Sequence, residues 1–425
     1  MDPNFQQALE EPNNERTILD YLNDDCWRAV LNYVPVRDMI CTERTSREWQ
    51  RTMLLYLSTV RISIGKWWNK NKNDHNFVVI TKDADFSSFE LWSKKLGHTV
   101  VAFEKYCGDT EECMVLRNNC SNLEVLKLTN VSMLQEQRSP NTEEYFPELQ
   151  RICFESCDSA TDDCLSSFIT SRNLEELEIL INNLMTGRCL NSIKSTKLKS
   201  LVFRNCKYLG FEPLMSIADR LGGLTKFVLA RSRRRMHDQI YLLLNKMPKL
   251  EYLTIQITDG AHLDEQELDS IAFYEVVSRL AHLKHLSSNF VVWEGYLEQV
   301  TQGCKELETL KLVCNGVTGD SLQAVYRNIG ERLKCLYLFQ SHLTADDYEE
   351  CIYACPNLTR LSVSGDLKLV ITRVGEARRQ ICPDKRLQLV CEDCGSEDWD
   401  TNEFADVLDF KVANNYDSDG VEDSY

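Results

Sequence analysis

One short phrase is written over and over along this chain. "CKELETLKLV" (304–313) and "CPNLTRLSVS" (355–364) share the spacing Leu-x-x-Leu-x-aliphatic. The leading Leu recurs at Leu123, Leu149, Leu174, Leu198, Leu224, Leu250, Leu283, Leu307, Leu333 and Leu358, at intervals of 26, 25, 24, 26, 26, 33, 24, 26 and 25 residues. The fourth and sixth positions of the phrase are apolar throughout, as in Leu126 with Leu128 and Leu310 with Leu312, except that Leu286 is followed by Ser288. The ninth position is mostly small and able to hydrogen-bond: Cys157, Asn182, Cys206, Ser232, Thr258, Asn315, Ser341 and Asp366.

Apolar residues two apart define one face of a strand. The stretches that follow read as helices. In 320–329, Leu322, Val325, Tyr326 and Ile329 recur at spacings of three and four after a polar start at Asp320 or Ser321. In 345–354, Tyr348, Ile352 and Tyr353 do the same before Pro356. A strand plus a helix cannot bury its own apolar edge, so such units stack. This is the leucine-rich-repeat pattern. The expected fold is α/β: a horseshoe solenoid with a parallel sheet on its concave side and helices on its convex side. The ninth position should face the interior, where the turning chain must satisfy its own backbone. Weaker strands are expected at 57–65, 99–107 and 386–395. The long interval places an insertion near 259–267.

The composition narrows the setting. No apolar run is long enough to span a membrane. The polar, acidic start of the chain is neither a signal nor a transit peptide. The 18 cysteines are therefore expected as reduced, buried thiols in a protein of the cytosol or nucleus. The net charge of −17 sits at the ends. Residues 391–425 hold 12 Asp and Glu against Lys411, and the first 22 hold 5 against Arg16. The body is nearly neutral, which gives no support to nucleic-acid binding.

Residues 18–57 carry no strand phrase. Asn23 or Asp24 can cap a helix bearing Trp27, Val30, Leu31 and Val34, with Pro35 as its stop. Asp38 can cap a second helix beginning at Met39, and Ser46 a third bearing Trp49, Met53 and Tyr56. Forty residues make too small a core to stand alone, so such a module leans on a neighbour or keeps an apolar face for a partner. The stretch resembles an F-box. Leu22 matches the opening Leu, Asp25 the acid, Val30 and Leu31 the aliphatic pair, Asp38 and Met39 the next pair, and Arg47-Glu48-Trp49 the end. Asn23 stands where the pattern has Pro, and Thr45-Ser46 where it has an apolar residue and Cys.

An F-box followed by Cys-containing leucine-rich repeats resembles the substrate receptors of Skp–cullin–F-box ubiquitin ligases. The expected order is 1–17 disordered N-terminus, 18–56 F-box, 57–395 solenoid and 396–425 acidic tail, which its composition reads as disordered, with a fold-back of its first half onto the basic loop or the concave face as the alternative. Leu22, Asn23, Asp25, Val30, Leu31, Val34, Asp38 and Met39 would dock the Skp adaptor and, through it, a cullin–RING ligase. The concave face would hold an unknown protein destined for degradation. The chain would be a non-catalytic receptor without cofactor or metal.

On the concave face, phrase positions three, five and seven point outward. They offer Arg204, Tyr252, His285, Lys311, Tyr337, Phe339 and Arg360 as interface anchors. Other constellations say less. Arg231, Arg233, Arg234 and Arg235 read first as a solvated loop, and Trp67 and Trp68 among lysines as packing at the join between module and solenoid. Cys391-x-x-Cys394 is half a zinc pattern without a second pair. Asn415–Gly420, "NYDSDG", opens like a calcium loop but lacks its closing acid. No catalytic motif is present. The rival reading is a non-ligase repeat scaffold that binds or inhibits a partner.

Overall fold

The computed structural model describes residues 22–31, 33–34, 38–39, 42, 45–59, 61–64, 77–80, 93–94, 97–106, 110–130, 146–232, 239–257, 267–315, 317–339, 341–391 and 401–412. Fifteen strands form one parallel sheet: β1 (Arg61–Ile64), β2 (Phe77–Ile80), β3 (Val100–Tyr106), β4 (Val125–Thr129), β5 (Arg151–Glu155), β6 (Glu176–Asn182), β7 (Ser200–Cys206), β8 (Lys226–Ser232), β9 (Tyr252–Ile257), β10 (His285–Trp293), β11 (Thr309–Asn315), β12 (Cys335–Phe339), β13 (Arg360–Val363), β14 (Leu387–Cys391) and β15 (Leu408–Val412). Their order follows the chain, save that β2 lies outside β1 at the N-terminal edge.

The fourth phrase position forms a single rung through the stack. Phe103, Leu126, Ile152, Leu177, Leu201, Phe227, Leu253, Leu286, Leu310, Leu336, Leu361, Leu389 and Phe410 are successive register partners. All but Phe410 are buried. Strands repeat at about 4.8 Å and helices at about 9 Å, so the sheet takes the inner side of the curve. The chain is a leucine-rich-repeat solenoid.

Position nine faces inward at Cys157, Asn182 and Cys206, by a device that the phrase does not show, whereas Asp366 is exposed and caps the helix Leu367–Ile381. Strand alternation alone would send it outward, because positions four, six and eight share the inner face. In five consecutive repeats the eighth residue is left-handed: Asn130, Ser156, Ile181, Asn205 and Arg231, with φ of 53° to 59°. That turn reverses the alternation. Asn182 is then fully buried and works as a bracket. Its Nδ2 donates to the Cys157 and Ala160 carbonyls at 2.8 and 3.0 Å, while its Oδ1 accepts from the Leu184 and Met185 amides at 2.9 and 2.7 Å. Cysteines do part of the same work, with Cys157 Sγ donating to the Leu128 carbonyl and Cys206 Sγ to that of Ile179, at 3.5 and 3.4 Å. Of the described thiols, all but Cys26, Cys335 and Cys382 are buried.

The two sampled helices lie where the spacing put them, with two corrections. The helix Gly319–Ile329 is capped by Thr318, two residues before Asp320, the earlier of the expected polar starts. Tyr353 in the helix Ala345–Ala354 faces outward, its hydroxyl donating to Gln380 Oε1 at 2.9 Å, while Tyr348 and Ile352 fill the core. The irregular repeat is resolved by a register shift in β10 between Ser288 and Val291. There Ser288 Oγ accepts from the Phe290 amide, and Phe290 fills the core beneath the Tyr274 hydroxyl, which donates to the Phe290 carbonyl at 2.7 Å.

The C-terminal boundary moves. Residues 396–425 were expected as a disordered tail, yet β15 extends the sheet beyond β14 and a 3-10 turn spans Thr401–Phe404. Phe404, Val407 and Leu408 are buried. The Phe404 ring lies against the helix Leu367–Ile381 where a Cβ on residue 375 would stand, so Gly375 is required there. Arg379 crosses the Phe404 ring at 4.6 Å and pairs with Asp406 at 2.7 Å. A terminal repeat exposes a raw apolar edge unless it is capped, and these acidic-rich residues hide enough aromatic and aliphatic surface to do so.

Asn182→Ala leaves the buried Ala160 carbonyl and Met185 amide without a partner and should cost about 3 kcal/mol. Ile181→Asn relieves a β-branched residue of a left-handed backbone and should gain about 1 kcal/mol. Chemical denaturation of both variants checks the pair, and the shifts should have opposite signs. Burial also pushes the Cys206 and Cys304 thiols up to about 12 from 9.0. The native state keeps protons that the unfolded chain releases, so stability should be full below pH 9 and decline as pH rises toward 12. Denaturation midpoints measured across that window test it.

Candidate functional site

Two surfaces are candidates, one at the N-terminal helical module and one on the inner face of the sheet. The module begins with helix α1 (Asp24–Leu31), capped by Asn23, whose Oδ1 accepts from the Cys26 amide at 2.8 Å. Asp38 and Met39 are helical, where the second helix was expected, and precede helix α2 (Arg47–Thr59). Ser46 caps α2 through the Trp49 amide at 3.0 Å, and Trp49 Nε1 donates to Thr42 Oγ1 at 3.0 Å. The Trp27 and Trp49 rings meet edge to face at 6.0 Å. Leu31, Met39, Met53, Tyr56 and Leu57 are buried in the same core as Ile62 and Val100, so the module leans on the first repeats.

This packing sorts the eight expected docking residues. Leu31 and Met39 are fully buried in the chain's own core and present no surface to a partner. They hold the module together, which corrects their expected role. Leu22 and Val34 are half-buried, and Asn23, Asp25 and Asp38 are exposed. Val30 is 45% exposed. Two residues that the motif comparison passed over are also exposed in this module: Tyr33 at 90% and Leu55 at 57%. Leu55 breaks the buried spacing of Met53, Tyr56 and Leu57, which was readable from the helix period; Tyr33 lies past the end of α1 and gave no such signal.

On the sheet, position-three residues of successive strands align as Arg151, Glu176, Ser200, Lys226, Tyr252, His285, Thr309, Cys335 and Arg360. Position five adds Lys127 early, and Lys311 beside Tyr337 late. In the first repeats Lys127 meets Glu155 at 2.9 Å and Arg151 meets Glu176 at 3.2 Å. Arg204, half-buried, belongs to this end, two strands before Tyr252. From β9 onward the character changes. Tyr252 and His285 stack at 3.9 Å, with Lys226 Nζ 5.2 Å above the Tyr252 ring. Lys311 Nζ stands 5.1 Å over the Tyr337 ring, which stacks on Phe339 at 6.2 Å. Among the described inward-facing positions of β9 to β13 there is no carboxylate.

The structure brings the expected concave residues together in two neighbouring groups and changes one of them. Tyr337, expected as an exposed anchor, is only 3% exposed. Its hydroxyl is buried with no hydrogen-bond partner, and burial raises its pKa to about 12. Arg204, Tyr252, His285, Lys311, Phe339 and Arg360 are half-buried. Of the basic loop, only Arg231 lies within the described residues, as does only Cys391 of the Cys391-x-x-Cys394 pair. Trp67, Trp68 and residues 1–17, 258–266 and 413–425 fall outside them. No group of three metal-ligating side chains is found among the described residues, and none of their helices is long and apolar enough to cross a membrane.

No known protein family's sequence profile matches the chain, and no curated protein matches it. Among solved structures, the yeast complex of Rad7 and Elc1 superposes with a TM-score of 0.49 at 12% identity, over 91% of this chain and 92% of that one. The complex of TLR13 with ssRNA13 does so with a TM-score of 0.36 at 13% identity, over 85% and 56%. Superpositions this loose carry no argument, and the repeat fold rests on the continuous ladder of apolar rungs.

Tyr337→Phe should leave the protein as stable or raise stability by about 1 kcal/mol, because a buried hydroxyl without a partner carries only its desolvation cost. Thermal denaturation reads the difference, and a clear loss would mean that the hydroxyl has an acceptor.

Proposed function

We propose that the protein is the substrate-recognition subunit of a Skp–cullin–F-box ubiquitin ligase. Its N-terminal module is an F-box that docks the Skp adaptor, and its concave repeat face holds the protein to be ubiquitinated. The chain makes and breaks no bonds; ubiquitin transfer falls to other subunits.

The observation that carries the reading is the apolar surface left over by a module whose core is already complete. Val30, Tyr33 and Leu55 are exposed although Leu31, Met39, Met53 and Leu57 saturate the packing against the first repeats. Large apolar side chains left in solvent in a module with its own packed core suit a place for a partner. Val30 occupies the aliphatic-pair position of the F-box resemblance, and its neighbour Leu31 serves the fold. The concave face supports the second half of the proposal, since an aromatic and basic stretch four to five strands wide suits recognition of a protein segment.

Co-purification with the Skp adaptor tests the first half. The pair Val30→Asp and Tyr33→Asp charges exposed positions only, so circular dichroism should not change. Adaptor binding should fall on the order of 100-fold, as expected for two central anchors. A wild-type chain that does not bind, or a variant that binds equally well, would refute the ligase reading.

A further inference from the structure

We draw no further inference here: the strongest candidate, the open cleft of about 410 Å³ between residues 186–191 and the helix Phe211–Ser216, has no buried polar group among its lining side chains, and nothing in the structure shows what would fill it.

Discussion

The solenoid depends on a reversal of strand alternation one residue long. Positions four and six supply the apolar rungs that hold each repeat to the next, but the chain must then leave the sheet and travel to the convex side without abandoning polar backbone in the interior. A left-handed residue at position eight makes that turn, and the inward side chain at position nine brackets it. Asn182 does so with four hydrogen bonds, and cysteines at 157 and 206 do so with weaker ones. The thiols are structural for that reason: they fill the space of a small apolar group and still offer a donor. Ile181 shows how firmly the surroundings impose the turn, since a β-branched side chain avoids this backbone when it has a choice.

Stacking solves the problem of the interior and creates one at each end. At the N-terminus the helical module shares its core with the first strands, through Met53, Leu57, Ile62 and Val100. At the C-terminus, Phe404, Val407 and Leu408 cover the last repeat, fixed by the close approach of Phe404 to Gly375 and by the pair of Arg379 and Asp406. That pair is exposed and adds little by itself. The buried aromatic and aliphatic surface decides the matter, and the surrounding carboxylates only obscure it in the sequence. The two ends then differ in kind: the C-terminal cap is closed, whereas the N-terminal module keeps Val30, Tyr33 and Leu55 in solvent.

The inner face inherits its polarity from the same arithmetic. Because the third and fourth positions stay in register from β4 to β13, residues 24 to 33 apart in sequence become neighbours across a strand gap, and the concave face changes along the sheet from paired acids and bases to aromatics and cations. Lys127 with Glu155 and Arg151 with Glu176 neutralise each other early. Later, Lys226 and Lys311 lie over the Tyr252 and Tyr337 rings instead. Each lysine there is held against the face of a neighbouring aromatic ring.

The fold was legible because a period of two within each strand and of about 25 between strands leaves no other way to bury so many leucines. Direction along the pleat followed from that period alone, which sets Tyr252, His285, Lys311 and Arg360 on the concave face, and the helix caps Asn23 and Ser46 could be read from local chemistry. Exposure was not legible, because it is set by neighbours far away in sequence. Tyr337 points to the inner face, yet Lys311 and Phe339 close around it. Leu31 and Met39 were expected to dock a partner, yet both are buried in the chain's own core. The acidic segment around Phe404 reads as disorder until Gly375 is found beneath its ring. Sequence by itself determined which way each side chain leaves the backbone; the tertiary structure decided what it meets there, since a local pattern fixes bond directions while burial is a property of the packed whole.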